Sequence, residues 1–471
     1  MMQKIETVTE QILKKITPST KDREKIEALT CEIERKIVLA CKHQGVPAIV
    51  RTEGSVAKDT WLRENPDIDV FVRLPTSIPR KDLGDVGLGI ARQAAGGARQ
   101  IERFAEHPYL EVFVNGYRID IVPCYDVKRG EWQSATDRTP FHTDYIKEHL
   151  KRNFHGEVRL LKKFMQGVGV YGAEIKIGGF SGYLCELLIM KYLGFAETMR
   201  AFARYNQRMV IDIEHYYENR EKELSLLFRE PLVIVDPVDE GRNVASAVHP
   251  QKLYCFVGAA RAFLKKPNVC FFYAPKPRTM PIADLDVLLD SRGSSMIFVV
   301  LCQFSAVPDV LWGQLYKSKR ALRKLIELND GKILRDAVWS DEKTLSVFVF
   351  ELEQLFLSNV KRHLGPPLER EAESDDFLAK YADNKNVISG PYIEDGRWMV
   401  ELPRKTTDMV AFLRNRLADG GRDAGVAKLV AQSMRKNFRI LVRSEISEVY
   451  KENVDLAVFL TDFVSGKPFW L

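Results

Sequence analysis

Apolar residues recur at helical spacing in residues 19–44, which follow the start signal Pro18-Ser19. They are Ile26, Leu29, Ile33 and Ile37. Because an α-helix turns once in about 3.6 residues, this spacing places all four side chains on one face. The pattern therefore predicts a long helix over this segment.

Short apolar runs bounded by turn residues predict strands after this helix. They cover residues 48–53 and 68–72, and a Gly- and Ala-rich helical stretch follows near residues 81–98. The next two runs, 110–114 and 117–122, are joined by Asn115-Gly116, the strongest short signal for a β-hairpin. The opening block of about 145 residues is therefore predicted to be a mixed α/β domain.

The pattern changes after residue 148. Residues 148–272 show mainly helical apolar spacing, the Pro-rich segment 274–278 is typical of a linker, and residues 344–352 form a strand-like run among further helices. A chain of 471 residues is also too long for one hydrophobic core. We predict an α+β multidomain protein with three domains, at residues 1–145, 146–285 and 286–471.

Composition and charge add few constraints. Hydrophobic residues make up 45% and charged residues 28% of the chain, which is ordinary for a soluble globular protein. No apolar run approaches the roughly 18 residues of a membrane span, and the first residues lack the apolar core of a signal peptide, so we expect a cytoplasmic protein. The net charge of +6 permits a polyanionic partner without requiring one. The seven cysteines form no CxxC pair, and we interpret them as small buried hydrophobic residues.

Three aspartates stand in apolar strand segments. Asp67 and Asp69 belong to the run DIDVF, and Asp120 lies in the run IDI. Since alternate residues of a strand face the same side, Asp67 and Asp69 project together. Burying two adjacent carboxylates unpaired is costly, and a divalent cation removes that cost. If the two strands are neighbours, all three carboxylates converge.

Three aspartate carboxylates suit a hard cation such as Mg²⁺, which prefers oxygen ligands. Two such ions, roughly 3.5–4 Å apart, can hold the attacking hydroxyl and the leaving pyrophosphate of an in-line displacement. The alternative is that Asp67 and Asp69 lie on a solvated edge or in a turn. The Gly-Ser pair upstream and the isolated Asp120 downstream argue against that alternative.

Gly54-Ser55 ends a predicted strand and should begin a helix. Its backbone N–H groups and the Ser55 hydroxyl can bind phosphates at a helix N-terminus, helped by the helix dipole. Lys58, one turn further, adds a positive charge for a triphosphate. A Gly-Ser pair alone is an ordinary turn, so its value comes from its spacing to Asp67 and Asp69.

The spacing GS-x11-DxD followed by a third aspartate resembles the nucleotidyltransferase superfamily, which includes DNA polymerase β and poly(A) polymerases. More specific segments are similar to the archaeal, or class I, CCA-adding enzymes. They are DRTPFH (137–142), VRLLK (158–162), VYGAE (170–174), GGFSGYLCELL (178–188) and VDPVDEGRNVA (235–245). These segments run in order through the first two predicted domains, and the length fits the whole chain.

This resemblance implies a polymerase-β-like mixed sheet with helices, a mainly helical nucleotide-recognition domain and an α+β tRNA-binding region. It implies that the enzyme adds or repairs the 3′-terminal CCA of tRNA from CTP and ATP without a nucleic-acid template, often as a dimer. Asp67, Asp69 and Asp120 would bind Mg²⁺, and Asp120 would also accept the proton of the tRNA 3′-hydroxyl.

The resemblance also assigns nucleotide-binding residues. Ser55 and Lys58, with Gly54, would bind the triphosphate. Thr139, His142, Lys162 and Tyr171 match family positions around the sugar and phosphates, and Arg242 matches the arginine that reads the Watson–Crick edge of C or A. Judged from the residues alone, His142 can be a structural hydrogen-bonding residue, Lys162 can lie on a solvated helix face, Tyr171 can be a packing aromatic, and Arg242 can pair with Asp236 or Asp239.

Basic residues in the last predicted domain are candidates for tRNA contacts. They are Lys317, Lys319, Arg320, Arg323 and Lys324, and further along Arg435, Lys436, Arg439 and Arg443. Charge runs of this kind are often solvated helix faces, so both interpretations stay open.

Three other functions compete with this one. A poly(A) polymerase would share the chemistry but would add A without stopping. An enzyme that modifies small molecules would not need so much further chain. An inactive RNA-binding scaffold would have no reason to keep three carboxylates in this pattern.

Overall fold

The computed structural model describes residues 2–104 and 107–471. They form two compact units, Met1–Lys276 with Lys467–Leu471, and Pro277–Gly466. The boundary after Lys276 falls inside the Pro-rich segment predicted as a linker. The finer division into three domains stays a prediction.

The first unit combines helices with two sheets. Its helices are α1 (Met2–Ile16), α2 (Thr20–His43), α3 (Gly54–Ala57), α4 (Arg80–Ala95), α5 (Thr139–His149), α6 (His155–Gly167), α7 (Gly182–Tyr192), α8 (Phe195–Ala203), α9 (Glu221–Leu227) and α10 (Pro250–Lys265). Its strands are β1 (Ile49–Glu53), β2 (Ile68–Leu74), β3 (Arg99–Phe104), β4 (Pro108–Val114), β5 (Tyr117–Tyr125), β6 (Met209–Ile211), β7 (Leu232–Asp236) and β8 (Asp239–Asn243). Short 3₁₀ helices cover Ala135–Arg138, Arg152–Phe154 and Val269–Phe271.

Helix α2 confirms the long helix predicted for residues 19–44. The Ser19 hydroxyl accepts a hydrogen bond from the Asp22 N–H at 3.2 Å, and the Asp22 carboxylate accepts one from the Ser19 N–H at 2.9 Å. This capping box fixes the start of the helix. The four apolar residues of the predicted face, Ile26, Leu29, Ile33 and Ile37, are all buried.

The larger sheet of the first unit has the strand order β1-β2-β5-β4-β3. Strands β2 and β5 are parallel neighbours. The predicted hairpin is confirmed as β4-β5, with Asn115 (φ +52°) and Gly116 (φ +81°) in its turn. Positive φ at both turn residues suits the type I′ turn of a two-residue hairpin. The edge strand β3 was not predicted from the sequence.

One face of this sheet is apolar and buried. Ile68, Val70, Ile119 and Ile121 pack in a core with helices α2 and α4. Because side chains alternate along a strand, Asp69 and Asp120 lie on the opposite face. The apolar core thereby determines which way both carboxylates point.

A second core in the first unit is built mainly from helices. It contains Phe164, Phe180, Phe256, Phe263 and Phe272, all fully buried. Helix α1 contributes Ile5, Ile12 and Ile16 to this helical core. The prediction of a mainly helical region is confirmed, but this region also contains the small sheet β6-β7-β8, which was not predicted.

The second unit also combines helices and sheets. Its helices are α11 (Ile282–Ser291), α12 (Pro308–Leu328), α13 (Glu371–Tyr381), α14 (Met409–Leu417), α15 (Lys428–Lys436), α16 (Ser447–Glu452) and α17 (Val454–Ser465). Its strands are β9 (Ser295–Leu301), β10 (Ile333–Ser340), β11 (Ser346–Leu352), β12 (Val360–Pro367), β13 (Ser389–Glu394), β14 (Arg397–Pro403) and β15 (Phe438–Val442). Short 3₁₀ helices cover Arg422–Ala424 and Arg443–Ile446.

The main sheet of the second unit has the order β10-β11-β9-β15, with antiparallel neighbours. Strand β11 confirms the strand-like run predicted at residues 344–352 and is buried along its whole length. A smaller sheet, β12-β14-β13, packs with helix α13 through Phe377, Tyr381 and Val400.

In the part of the chain that the structure describes, no helix has the length and apolar character needed to cross a membrane. All seven cysteines are free thiols. Cys31 and Cys270 are exposed, so the interpretation of every cysteine as a buried hydrophobic residue is wrong for these two.

Candidate active site

Asp67, Asp69 and Asp120 come together across strands β2 and β5. Asp69 stands opposite Asp120 in the parallel register, and Asp67 directly precedes β2. The charges of Asp120 and Asp67 both act on the Asp69 carboxyl. The condition set by the sequence, that the two strands be neighbours, is therefore met.

Burial and nearby negative charges raise the pKa of the Asp69 and Asp120 carboxyl groups. Burial first, and then the charges of Asp120 and Asp67, raises the pKa of Asp69 to about 7. Burial also raises the pKa of Asp120 to about 6, although the nearby Arg118 opposes this shift. Two carboxyl groups that resist ionisation beside each other favour a bound cation.

Arg118 lies among the aspartates and was not singled out from the sequence. Its Nη2 donates a hydrogen bond to Asp67 Oδ1 at 2.7 Å and lies 3.9 Å from Asp120 Oδ2. Its Nε is 3.8 Å from Oε1 of Glu111, the residue opposite Asp120 on β4. One guanidinium therefore partly neutralises the acidic group in this structure.

The acidic group suits a hard divalent cation in its composition. Its candidate ligands are all carboxylate oxygens. Asp120 Oδ1 is buried and has no hydrogen-bond partner among the described residues. Within residues 2–104 and 107–471, however, no three Asp, Glu, His or Cys side chains are already arranged as ligands around one point. Asp67 Oδ1 instead accepts a hydrogen bond from Arg118 in this structure.

Gly54 begins the one-turn helix α3 directly after strand β1, as the sequence predicted. Its φ is +66°, and a Cβ added there would lie 2.0 Å from Asp69 Oδ2. Both the backbone conformation and the close approach of Asp69 therefore require glycine. Because α3 has only four residues, free N–H groups near Ser55 rather than a helix dipole are available to a phosphate.

Lys58 and Lys162 are both buried against one carboxylate. Lys58 Nζ donates to Glu186 Oε2 at 2.5 Å, and Lys162 Nζ donates to Glu186 Oε1 at 3.3 Å. Burial alone would raise the pKa of Glu186, but the charges of the two lysines outweigh burial and lower it. The alternative of a solvated helix face is therefore wrong for Lys162.

Tyr171 lies beside these lysines. A methyl group built on Gly182 would approach the Tyr171 hydroxyl at 3.1 Å and Lys162 Nζ at 3.4 Å, so both polar atoms border the space next to Gly182. Burial above all, with the nearby Cys185 and Asp67 as further causes, raises the pKa of Tyr171 well above its usual value. Tyr171 thus keeps its proton at neutral pH and can donate it in a hydrogen bond.

Asp236, at the end of strand β7, organises a neighbouring group. Its Oδ2 accepts hydrogen bonds from His142 Nε2 at 2.9 Å and Arg242 Nη1 at 2.6 Å, and its Oδ1 accepts one from the Tyr183 hydroxyl at 3.1 Å. Burial would raise the pKa of Asp236, but the hydrogen bond from His142 and the charge of Arg242 outweigh burial and lower the pKa to about 2. Of the two ion pairs open to Arg242, the structure contains the one with Asp236.

The remaining predicted residue, Thr139, begins helix α5 one turn before His142. The His142 ring stacks on the Tyr183 ring at a centroid distance of 4.1 Å. Lys58 Nζ lies 5.7 Å from the centroid of the same Tyr183 ring. Tyr183 therefore connects Lys58 with the group around Asp236, so most of the predicted nucleotide-binding residues lie in one region of the first unit.

Glu186 and Asp236 were not predicted as functional residues. A signal for both was present, since Glu186 is the one charge in the apolar run YLCELLIM and Asp236 ends the apolar run LVIVD. The same signal, an isolated charge in an apolar element, predicts Asp120 as a candidate site residue. It indicates a buried charge but does not tell which partner will compensate that charge.

Some of the basic residues predicted to contact tRNA form ion pairs or hydrogen bonds within the second unit, and others are exposed. Lys319 and Arg323 on helix α12 both form ion pairs with Asp336. Arg435 Nε donates to the Asp419 carbonyl at 2.6 Å, and Arg443 Nη2 donates to Ser295 Oγ at 3.0 Å. Other residues of the set, including Lys317 and Lys324, are exposed.

The sheet, the acidic group on its polar face and the lysines beside it define a nucleotidyltransferase. Residues 34–153, which contain all three aspartates, match the family model described as a nucleotidyltransferase domain.

Matches to the rest of the chain show which family of nucleotidyltransferases it belongs to. Residues 156–273 match the second domain of tRNA nucleotidyltransferase, and residues 292–443 match the C-terminal domain of the CCA-adding enzyme. The CCA-adding enzyme of Methanosarcina barkeri is 37% identical over 458 residues, covering 96% of this chain and 97% of the relative. That of Methanosarcina mazei is 38% identical with the same coverage, and that of Halobacterium salinarum is 34% identical over 92% of this chain and 96% of the relative. The chain therefore belongs to the CCA-adding enzymes, transferases that add CCA to tRNA without a nucleic-acid template.

Proposed function

We propose that this chain completes or repairs the 3′ end of tRNA with CTP and ATP, using Mg²⁺ held by Asp67, Asp69 and Asp120. The observation that carries the proposal is the placement of Asp69 opposite Asp120 on adjacent parallel strands, where each carboxyl has a raised pKa. When bound there, Mg²⁺ would supply positive charge to the reacting phosphate and to the leaving pyrophosphate.

Asp120 is our candidate for accepting the proton of the tRNA 3′-hydroxyl. Its Oδ1 is buried and has no hydrogen-bond partner among the described residues, so this oxygen has a lone pair to offer. The raised pKa brings the carboxylate closer to the basicity that proton transfer near neutral pH requires.

We assign the triphosphate to the region bordered by Ser55, Lys58, Lys162 and Tyr171. Gly54 allows the chain to approach Asp69 closely, and the N–H groups that follow are available for phosphate oxygens. The two lysines supply positive charge, and the Tyr171 hydroxyl supplies a neutral donor. Thr139 and His142, one turn apart on α5, are assigned to the sugar.

Arg242 is our candidate for reading the base. Among the described residues its guanidinium makes one side-chain hydrogen bond, to Asp236, so further N–H groups of the fork can reach a base edge. Asp236 in turn holds the guanidinium in one orientation. A fixed planar donor suits discrimination between C and A.

The assay for this proposal uses tRNA that ends before CCA, labelled CTP, then ATP, and Mg²⁺. We expect three added nucleotides, C, C and A, followed by arrest. Continued addition of A would instead identify a poly(A) polymerase. If no nucleotide is incorporated under any of these conditions, the proposed reaction is excluded.

The exposed basic residues of the second unit are assigned to the tRNA backbone. We also propose a homodimer in the cytoplasm. Mass measurement of the purified protein at working concentration tests the dimer, and cell fractionation tests the location.

A further inference from the structure

Two buried lysines share a single buried carboxylate in this protein. Lys58 and Lys162 come from different parts of the chain, and Glu186 on helix α7 contacts both. We propose that Glu186 is a positioning residue for the triphosphate, holding the two ammonium groups side by side. This inference rests on the proposed function, in which both lysines bind that triphosphate.

Each oxygen of Glu186 has its own lysine. Oε2 accepts from Lys58 Nζ at 2.5 Å, whereas Oε1 accepts from Lys162 Nζ at 3.3 Å and from the Thr60 hydroxyl at 2.5 Å. Lys162 Nζ also donates to the Thr60 carbonyl at 3.2 Å and to Thr60 Oγ1 at 3.1 Å. Glu186 therefore fixes the distance between two flexible side chains.

The backbone that carries Glu186 is itself firmly held. Its neighbours Leu184, Cys185, Leu187, Leu188 and Ile189 are completely buried in the helical core. A carboxylate on such a helix cannot follow the lysines if they move. The lysines instead take their positions from the carboxylate.

The net charge of the group formed by Lys58, Lys162 and Glu186 favours binding of an anion. Burial lowers the pKa of Lys162, and the charge of Glu186 opposes this shift. With both lysines protonated and Glu186 ionised, the group has a net charge of +1. Lys58 Nζ has one hydrogen-bond partner among the described residues, Glu186, so two of its three N–H groups can still donate. Without Glu186, the two ammonium groups would repel each other. Holding charges in place before the ligand arrives lowers the ordering cost of binding.

The central test is Glu186→Gln, which keeps the shape of the side chain. Its NH₂ group cannot accept a hydrogen bond, so one of the two lysines loses its acceptor. We expect the KM for CTP and ATP to rise about tenfold, the size of one lost charge-assisted hydrogen bond, with a much smaller change in kcat. The Kd for inorganic tripolyphosphate, measured calorimetrically with Mg²⁺ present, should rise by a similar factor.

A second step shows whether Glu186 acts through the lysines. In a Lys58→Met background, Glu186→Gln should raise the Kd for tripolyphosphate by clearly less than in the wild type, because one of its two partners is already gone. Equal factors in both backgrounds would mean that Glu186 acts independently of Lys58, and would overturn the proposal.

Glu157→Gln is the matched control. Glu157 lies on helix α6 near its N-terminus and accepts a hydrogen bond from the Phe195 N–H at 2.8 Å. The same chemical change there should leave KM and the tripolyphosphate Kd unaltered. If Glu157→Gln raised the KM as much as Glu186→Gln does, general loosening of the helical core would explain both results. That outcome would overturn the proposal.

Thr60→Val keeps the proposal testable if Glu186→Gln fails to fold. It removes the hydroxyl that bonds Glu186 and Lys162 without changing any charge, and we expect about a threefold rise in the tripolyphosphate Kd. An unchanged Kd would overturn the proposal. If Lys58→Met and Lys162→Met themselves leave the KM unchanged, the assigned triphosphate site is wrong. If they raise it but Glu186→Gln does not, only the role of Glu186 is wrong.

Discussion

Asp69 illustrates a conflict between stability and function at the level of one residue. Its carboxyl is partly buried, faces Asp120 and lies near Asp67, so the ionised form is disfavoured in the folded chain. The same arrangement is what a divalent cation needs. Residues selected for such a site often cost stability in the absence of their ligand.

Replacing Asp69 by Asn should therefore separate the two properties. We expect Asp69→Asn to reduce nucleotide incorporation by about 10³-fold or more, because a metal ligand is lost. In EDTA at pH 8 the same variant should melt at a higher temperature than the wild type. tRNA affinity, measured by filter binding, should stay largely intact. A parallel loss of tRNA binding would argue against the assignment.

The pH dependence of this stability difference has a definite sign. The folded pKa of Asp69, about 7, lies above the ordinary 3.8, so the folded state binds the proton more tightly than the unfolded state. The stability of the metal-free wild type relative to Asp69→Asn should fall as the pH rises from about 4 to about 7, and stay level above that. Thermal melts in EDTA across this range measure it. If the wild type instead became less stable relative to Asp69→Asn as the pH falls from 7 to 4, the raised pKa would be contradicted.

Gly54 and Gly45 offer a matched pair. Both have positive φ, +66° and +67°, but a Cβ on Gly54 would meet Asp69 Oδ2 at 2.0 Å, whereas one on Gly45 would meet nothing within 4 Å. We expect Gly45→Ala to cost about 1 kcal/mol of stability without loss of activity. Gly54→Ala should also displace Asp69 and lower kcat by about 10²-fold. Equal kinetic effects of the two variants would exclude a steric role for Gly54.

We expect Arg242 to affect the selection of the correct nucleotide more than it affects tRNA binding. With Arg242→Ala, we expect the ratio of kcat/KM for the correct over the incorrect nucleotide to fall by about tenfold, while tRNA affinity changes little. Single-nucleotide incorporation assays with CTP and ATP measure this ratio. If incorporation of both nucleotides falls equally, Arg242 is a structural partner of Asp236.

At the level of elements, the sequence was informative where the signal is local. The cap of α2, the Asn115-Gly116 turn and the apolar run of β11 each determine an element by nearby residues alone. The apolar run of β7 is such a signal, although this strand was not predicted. Strands β3, β6 and β8 lack such signals, so their formation depends on neighbouring strands. The aspartates were identified from the sequence because strand alternation is local. The pairing of Glu186 with Lys58 joins residues 128 positions apart and could not be inferred.

The packing of helix α1 in the helical core can be tested by substitution. The sequence suggested that residues 1–145 fold together, yet Ile5, Ile12 and Ile16 of α1 pack in the helical core. We expect Ile12→Ala, at a completely buried position, to cost about 2–4 kcal/mol of unfolding free energy, measured by denaturant titration. Thr7→Ala, which removes an exposed side chain of the same helix, serves as the control. An Ile12→Ala cost below that of the control would contradict this packing.

For the whole molecule, the basic residues of the second unit separate into two groups. Lys319 and Arg323 are engaged by Asp336, whereas Lys317 and Lys324 on the same helix are exposed. The sequence could propose the full set but could not distinguish these groups, because ion pairing depends on which strand packs beside α12.

This distinction predicts how tRNA binding responds to salt. We expect the double variant Lys317→Ala/Lys324→Ala to weaken tRNA binding and to reduce the slope of log K against log[salt] by about 0.7–0.9 for each lost phosphate contact. Lys319→Ala should instead lower the melting temperature with little change in slope. An unaltered slope in the double variant would mean that these lysines form only a solvated helix face.

The parallel register of β2 and β5 also constrains which changes in chain length the protein can tolerate. One residue inserted or deleted within β5 before Asp120 would exchange the two faces of the strand there, placing an isoleucine where the carboxylate now stands. A pool of single-codon insertions and deletions should therefore be depleted sharply across these few positions. Surface turns elsewhere should tolerate the same insertions and deletions. The positions that do not tolerate them would therefore locate strand β5 and its catalytic face without any substitution of an aspartate.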